Sequence, residues 1–236
     1  MGNAFRDCAR RWGRVKVAGD MRIFVFALLL ALPSALADAP VDLAPLKKWL
    51  ARQDEFRSVA ADFTQTRALR VLRDPVATPG RLWFTAAGAL RWELGAPAKT
   101  IVLRKGDSLL IINPAKKTAE RQPAERAGGP GMAMMRFPLA RDFADFQRQF
   151  EVLALSSEGA RTHLELAARD PQAKKYLKLM KIDFDAATGH LLAFEMAFKD
   201  GSSMRNEFSN VRVNQKFDRA LFDYDLSGYE VKDARE

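Results

Sequence analysis

The side chains equipped for covalent or acid–base chemistry are few in this sequence, and their spacing does not group them. His163 and His190 stand in separate runs of strand character, with no second histidine at ligand spacing. Ser156-Ser157 lacks the Gly-x-Ser-x-Gly elbow that exposes a nucleophile. Gly128-Gly129-Pro130-Gly131 is not followed by the Gly-Lys-Ser/Thr of a phosphate loop. Asp and Glu alternate outward along strands, the ordinary solvated arrangement. These residues predict neither an enzyme nor a bound metal or cofactor. What stands out is apolar. Leu90, Trp92 and Leu94 share one face of a short run, and Phe194, Met196 and Phe198 share one face of another. Met134, Met135, Phe137, Phe143 and Phe146 follow a glycine-rich stretch. Methionine is flexible and polarizable and suits surfaces that repack around apolar guests. The residues alone leave two readings open: an apolar binding cavity, or an ordinary dry core.

The elements that must position these residues are mostly strands. Residues 80–84 and 90–94 form two β runs around Gly88; in the second, Arg91 and Glu93 alternate with the apolar set. Similar runs cover 56–66, 100–104, 108–112, 118–122, 150–156, 161–168, 177–184, 190–199 and 202–214, with turns at Gly106, Asn113-Pro114, Gly189 and Asp200-Gly201. Residues 74–79 read as a loop, because two prolines exclude a regular ladder. Leu43, Leu46, Trp49 and Leu50 give a helix after Asp42 one apolar stripe. A second helix is expected from Pro138 through Leu139, Phe143, Phe146 and Phe150. The tail, 217–231, alternates Phe222 and Tyr224 with aspartates, as a last strand or strap. About ten strands and two helical segments result, an antiparallel meander.

Residues 21–37 read as a signal peptide: Met21-Arg22, an apolar run, then Ala35-Leu36-Ala37 before a cut after Ala37, with Met21 as the expected true start. Residues 38–236 then form a single domain, since 236 residues at 48% hydrophobic suffice for one sizeable core. Cys8, the single cysteine, falls before that cut, so the remainder forms no disulfide and carries no lipid on a cysteine. Export without an anchor places the protein in the periplasm or outside the cell. The net charge is +9; six Lys/Arg and two Asp/Glu fall in residues 1–37, which leaves +5 for the rest. The basic residues are dispersed among acidic ones, as in Lys178, Lys181, Asp183 and Asp185, which excludes a nucleic-acid face. Mild attraction to an anionic membrane surface or an acidic partner remains.

The order and spacing of these pieces resemble the periplasmic outer-membrane lipoprotein carrier (LolA) family across the whole region after the leader. The matching residues are Phe63-Thr64-Gln65, Gly80-x-Leu82-Trp83, Leu90-Arg91-Trp92, the Gly106 turn, Asn113-Pro114, the helix after Phe137 and Leu221-Phe222. The resemblance implies a mainly β (α+β) fold, in which a strongly curved antiparallel sheet forms an unclosed half-barrel covered by a helical lid. It implies a monomeric periplasmic carrier that shelters the acyl chains of lipoproteins, or other lipid, and passes them from an inner-membrane transporter to an outer-membrane acceptor. A lipid- or lipoprotein-sensing module of the same fold is the alternative. On the resemblance, Leu90, Trp92, Leu94, Phe194, Met196 and Phe198 line the cavity, with Met134, Met135, Phe137, Phe143 and Phe146 in the lid. One departure matters. The family's Arg-Pro pair, whose Arg latches the lid, is replaced by Ala86-Ala87. Arg81 or Arg91 is the expected substitute.

Overall fold

The computed structural model describes residues 41–123 and 142–233. The expected leader, the glycine-rich stretch, Met134, Met135, Phe137 and the start of the second helix lie outside them.

Pro45 opens α1 (Ala44–Gln53), and the Asp42 carboxylate accepts from the Ala44 N–H at 2.9 Å. Leu43, not Asp42, holds the cap position. Six strands follow: β1 (Ser58–Ala68), β2 (Val76–Thr85), β3 (Leu90–Leu94), β4 (Thr100–Lys105), β5 (Ser108–Asn113) and β6 (Thr118–Pro123). Next come α2 (Phe143–Gln149), β7 (Phe150–Glu158), β8 (Arg161–Ala168) and a one-turn helix, α3 (Ala173–Tyr176). The chain continues through β9 (Leu177–Asp185), β10 (Leu191–Phe198), β11 (Ser203–Val213), a 3-10 turn (Arg219–Phe222) and β12 (Glu230–Asp233).

The twelve strands among the described residues join one sheet, in the order β12-β6-β5-β4-β3-β2-β1-β11-β10-β9-β8-β7. Two meanders, β1 to β6 and β7 to β11, meet where β1 pairs with β11. Pairing is antiparallel except for β12, which lies parallel to β6. β7 and β12 are the outer strands and do not meet, so the curved sheet is unclosed.

One face of the sheet and the helices share the main core. Leu46, Trp49 and Leu50 of α1 and Phe146 of α2 pack with Phe63, Trp92, Met180, Phe184, Phe194 and Met196 from the strands. Burying a side chain of this size contributes about 1.5–3 kcal/mol, so α1 is held by packing rather than by its own ten-residue propensity. The opposite face of β4 to β6 has a smaller cluster, Ile101, Leu103, Ile112 and Ala119, which Tyr224, Leu226 and Tyr229 cover.

Three expectations change. The β2 ladder runs through Pro79, which pairs with Thr64. In an antiparallel strand the N–H and C=O of one residue point the same way, and the Pro79 carbonyl accepts from Gly95, just past the end of β3. The N–H that proline lacks would point the same way, away from β1, so the β1–β2 ladder loses no bond at this position. α2 ends at Gln149, because Phe150 turns extended and begins β7 opposite Ala168. The tail makes a 3-10 turn and a strap before its strand, which lies at Glu230–Asp233, beyond Phe222 and Tyr224.

Candidate functional site

An apolar cavity lies against the inner face of the sheet beside the C-terminal end of α1, where β1 begins and β11 finishes. Val59 and Ala61 of β1, Leu82 and Phe84 of β2, and Leu90 and Trp92 of β3 form one wall. Phe208, Val211 and Val213 of β11 form another; Phe56, Gly189, His190 and Leu191 close the end, and Gln53 reaches in from α1. The register places Phe84 opposite Leu90 and Leu82 opposite Trp92, so two hairpin strands turn the same face inward. Trp92 is fixed from behind by Phe63, with ring centroids 4.0 Å apart, and edge-on by Phe208 at 6.5 Å.

The space open to the centre of a water-sized sphere is about 50 Å³. A single water takes roughly 10–15 Å³ on that measure, so the cavity admits only a handful. A long acyl chain enters only if a wall moves.

The C-terminal end of α1 meets the cavity through Gln53. Its Trp49 stacks on Phe184 with centroids 4.7 Å apart. Trp49 Nε1–H and Gln53 Nε2–H both donate to the Gly189 carbonyl, at 3.0 and 2.9 Å. Gly189 has φ +79°, and a Cβ there would lie 2.9 Å from Arg52 Cβ, so only glycine lets the β9–β10 turn approach the helix this closely. α1 also meets α2, through Lys47 Nζ placed 4.9 Å above the Phe143 ring.

The residues singled out from sequence divide. Leu90 and Trp92 line the cavity. Phe146, Phe194 and Met196 are fully buried in the core, and Leu94, Phe143 and Phe198 pack at its margin. His190 stands on the cavity wall beside the turn, whereas His163 bonds Asp183 across neighbouring strands. The strand β11 is legible in the sequence, but its cavity residues Phe208, Val211 and Val213 are not, for a physical reason. Its inward residues shift from Phe208 to Val211 across a bulge, where Asn210 adopts φ +51° and strict alternation fails.

A family model described as "Outer membrane lipoprotein carrier protein LolA" matches residues 54–225. The chain belongs to the LolA family. An outer-membrane lipoprotein carrier protein from Coxiella burnetii (strain CbuK_Q154) is 25% identical over 208 residues, covering 87% of this chain and 91% of its own length. Among solved structures, an uncharacterized conserved protein from Thermus thermophilus overlays with TM-score 0.51 at 9% identity, covering 80% of this chain and 97% of that one, a likeness of fold. A LolA superfamily protein from Nitrosomonas europaea is 15% identical, with TM-score 0.39 over 74% of this chain and 96% of its own. The LolA family is one of lipoprotein carriers, a binding rather than a catalytic occupation.

Within this LolA-family chain the two arginines expected to latch the lid stand on the outer face. Arg81 and Arg91 both bond the buried Glu93 carboxylate, at 2.9 and 2.7 Å. Arg91 also donates to the Leu221 carbonyl at 2.9 Å. Among the described residues Arg91 thus ties the C-terminal strap to β3, while α1 is tied down by Trp49 and Gln53.

Proposed function

We propose that this LolA-family protein is a periplasmic carrier of lipoprotein acyl chains or another lipid. It takes its cargo from an inner-membrane partner and yields it to an outer-membrane one. The observation that carries the reading is the apolar cavity beside the end of α1, a helix that among the described residues is tied to the β9–β10 turn by two side-chain hydrogen bonds. Each buried CH₂ of a guest contributes roughly 0.8 kcal/mol. Opening α1 gives up the packing of Leu46, Trp49 and Leu50, about 1.5–3 kcal/mol each, and two hydrogen bonds of about 1 kcal/mol each, so roughly ten buried methylenes, a long acyl chain, are needed to offset it. The guest itself stabilises the opened arrangement, and closure of α1 after release restores the narrow cavity. Family membership supports lipoprotein as the cargo.

Native mass spectrometry of the protein purified gently from a periplasmic fraction, before and after incubation with a triacylated lipopeptide, tests the proposal. The expected result is an added mass that releases as lipid or lipopeptide on activation. Val211→Trp, which fills the cavity from a half-buried position on its wall, displaces about two methylenes and lowers occupancy roughly tenfold. Wild-type protein that takes up neither lipopeptide nor vesicle lipid overturns the carrier reading.

A further inference from the structure

The exposed apolar side chains gather at the end of the molecule away from the cavity. Of eight large apolar residues exposed among the described residues, five (Leu69, Val71, Leu72, Val76 and Tyr176) lie where β1 ends or beside it. Val71 leads them at 88% exposed. It sits in the loop joining β1 to β2, where the Leu72 N–H donates to the Leu69 carbonyl at 2.9 Å and the turn carries residues 70 and 71 to its tip.

Cations surround these side chains. Arg67, Arg70 and Arg73 interleave with them along the chain. Across a shallow depression Lys175, Tyr176 and Lys199 face Arg67 and Leu69. The acidic residues at this end are Asp74, Asp170 and Asp200. Asp200 accepts from the backbone and hydroxyl of Ser202, and Asp170 accepts from the Ala173 N–H, so two of the three hold turns.

A convex tip with apolar residues set between arginines fits a soft anionic surface better than a protein groove. Guanidinium groups reach lipid phosphates while short apolar side chains enter the boundary between headgroups and acyl chains. We propose that the loop over residues 69–76 and its flanking cations form a docking surface for an anionic phospholipid membrane. Phe208, the cavity residue nearest this end, pairs with Phe63, which is four residues of extended strand, about 14 Å, from Arg67, more than the roughly 5–10 Å that interfacial side chains enter. Docking therefore leaves the cavity clear of the bilayer. The proposal goes beyond the carrier reading, and each can fail alone: vesicle binding reads the loop, and lipopeptide uptake reads the cavity.

Co-flotation with phosphatidylcholine vesicles, with and without phosphatidylglycerol, tests it on the protein purified from the periplasm. Wild type binds the anionic vesicles and is released by salt. Arg70→Ser/Arg73→Ser weakens that binding on the order of 30-fold, and Val71→Ser/Leu72→Ser weakens it while leaving the salt dependence in place. Because all four side chains sit in an exposed loop, each variant keeps the wild-type thermal melt. A polarity-sensitive fluorophore on Val71→Cys/Cys8→Ser shifts to the blue on anionic vesicles. Equal binding to both vesicle types, variants that bind like wild type, or binding without the spectral shift each overturn the proposal.

Discussion

Gly80 governs the wall of the cavity without touching a guest. It lies opposite Phe63 in the β1–β2 ladder, and a Cβ there would overlap the Phe63 ring and come within 2.6 Å of the Glu93 carbonyl. The missing side chain lets Phe63 lie flat over β2 and reach Trp92. Gly80→Ala forces the ring off that seat, an overpacking that costs about 1–3 kcal/mol. In a domain of this size that lowers the melting temperature by roughly 2–4 °C per kcal/mol, and the near-ultraviolet circular dichroism of Trp92 weakens with it. A variant that melts and absorbs like wild type contradicts this account. Alternation was enough to turn Leu90, Trp92 and Leu94 to one face in the sequence. That Phe63 caps Gly80 was not legible, because the pairing of two strands is a long-range fact that neither strand states alone.

At the scale of elements, α1 is the gate in the proposed function. Its apolar stripe of Leu43, Leu46, Trp49 and Leu50 is plain in the sequence, since a period of 3.6 is local. Its tether is not, because the acceptor is a backbone carbonyl of Gly189, far along the chain. Gln53→Ala removes one of the two donors at a cost of about 1 kcal/mol to closure. Uptake of an apolar dye such as 1-N-phenylnaphthylamine should accelerate about fivefold, with little change in global melting. Unchanged uptake would show that α1 is not the gate. α2 and the tail were misjudged in length for a related reason. Phe150 continues the helical apolar spacing, yet its backbone is claimed by pairing with Ala168. Tyr224 continues a strand-like alternation, yet its hydroxyl is drawn to Tyr229 at 2.9 Å within the strap.

The whole sheet depends on its outer face as well. There Asp183 is encircled by Arg205 at 2.9 Å, His163 at 2.8 Å and Arg161 at 3.2 Å, drawn from two strands, β8 and β11, on either side of its own. Burial works against the Asp183 charge, but the hydrogen bonds from Arg205 and His163 outweigh it and hold the carboxyl below its ordinary range. Its folded value lies under the unfolded value of about 4, so this stabilisation is complete above about pH 4 and disappears as pH falls through the folded value. Asp183→Asn should therefore be less stable than wild type in urea at neutral pH, and the gap should narrow below about pH 4. A gap that stays constant with pH would mean the carboxylate contributes only shape. The sequence showed the outward charges of this strand as solvated; their convergence needed the order of the strands. That order also leaves β7 and β12 apart, with no hydrogen-bonded seam. A closed barrel has its radius fixed by strand number and shear, and widening it means breaking a ladder. Here the wall can splay by bending alone, so a carrier built this way would admit guests of different girth at similar cost. Selectivity among them would then reside outside the cavity, in whatever the polar end of the cargo touches.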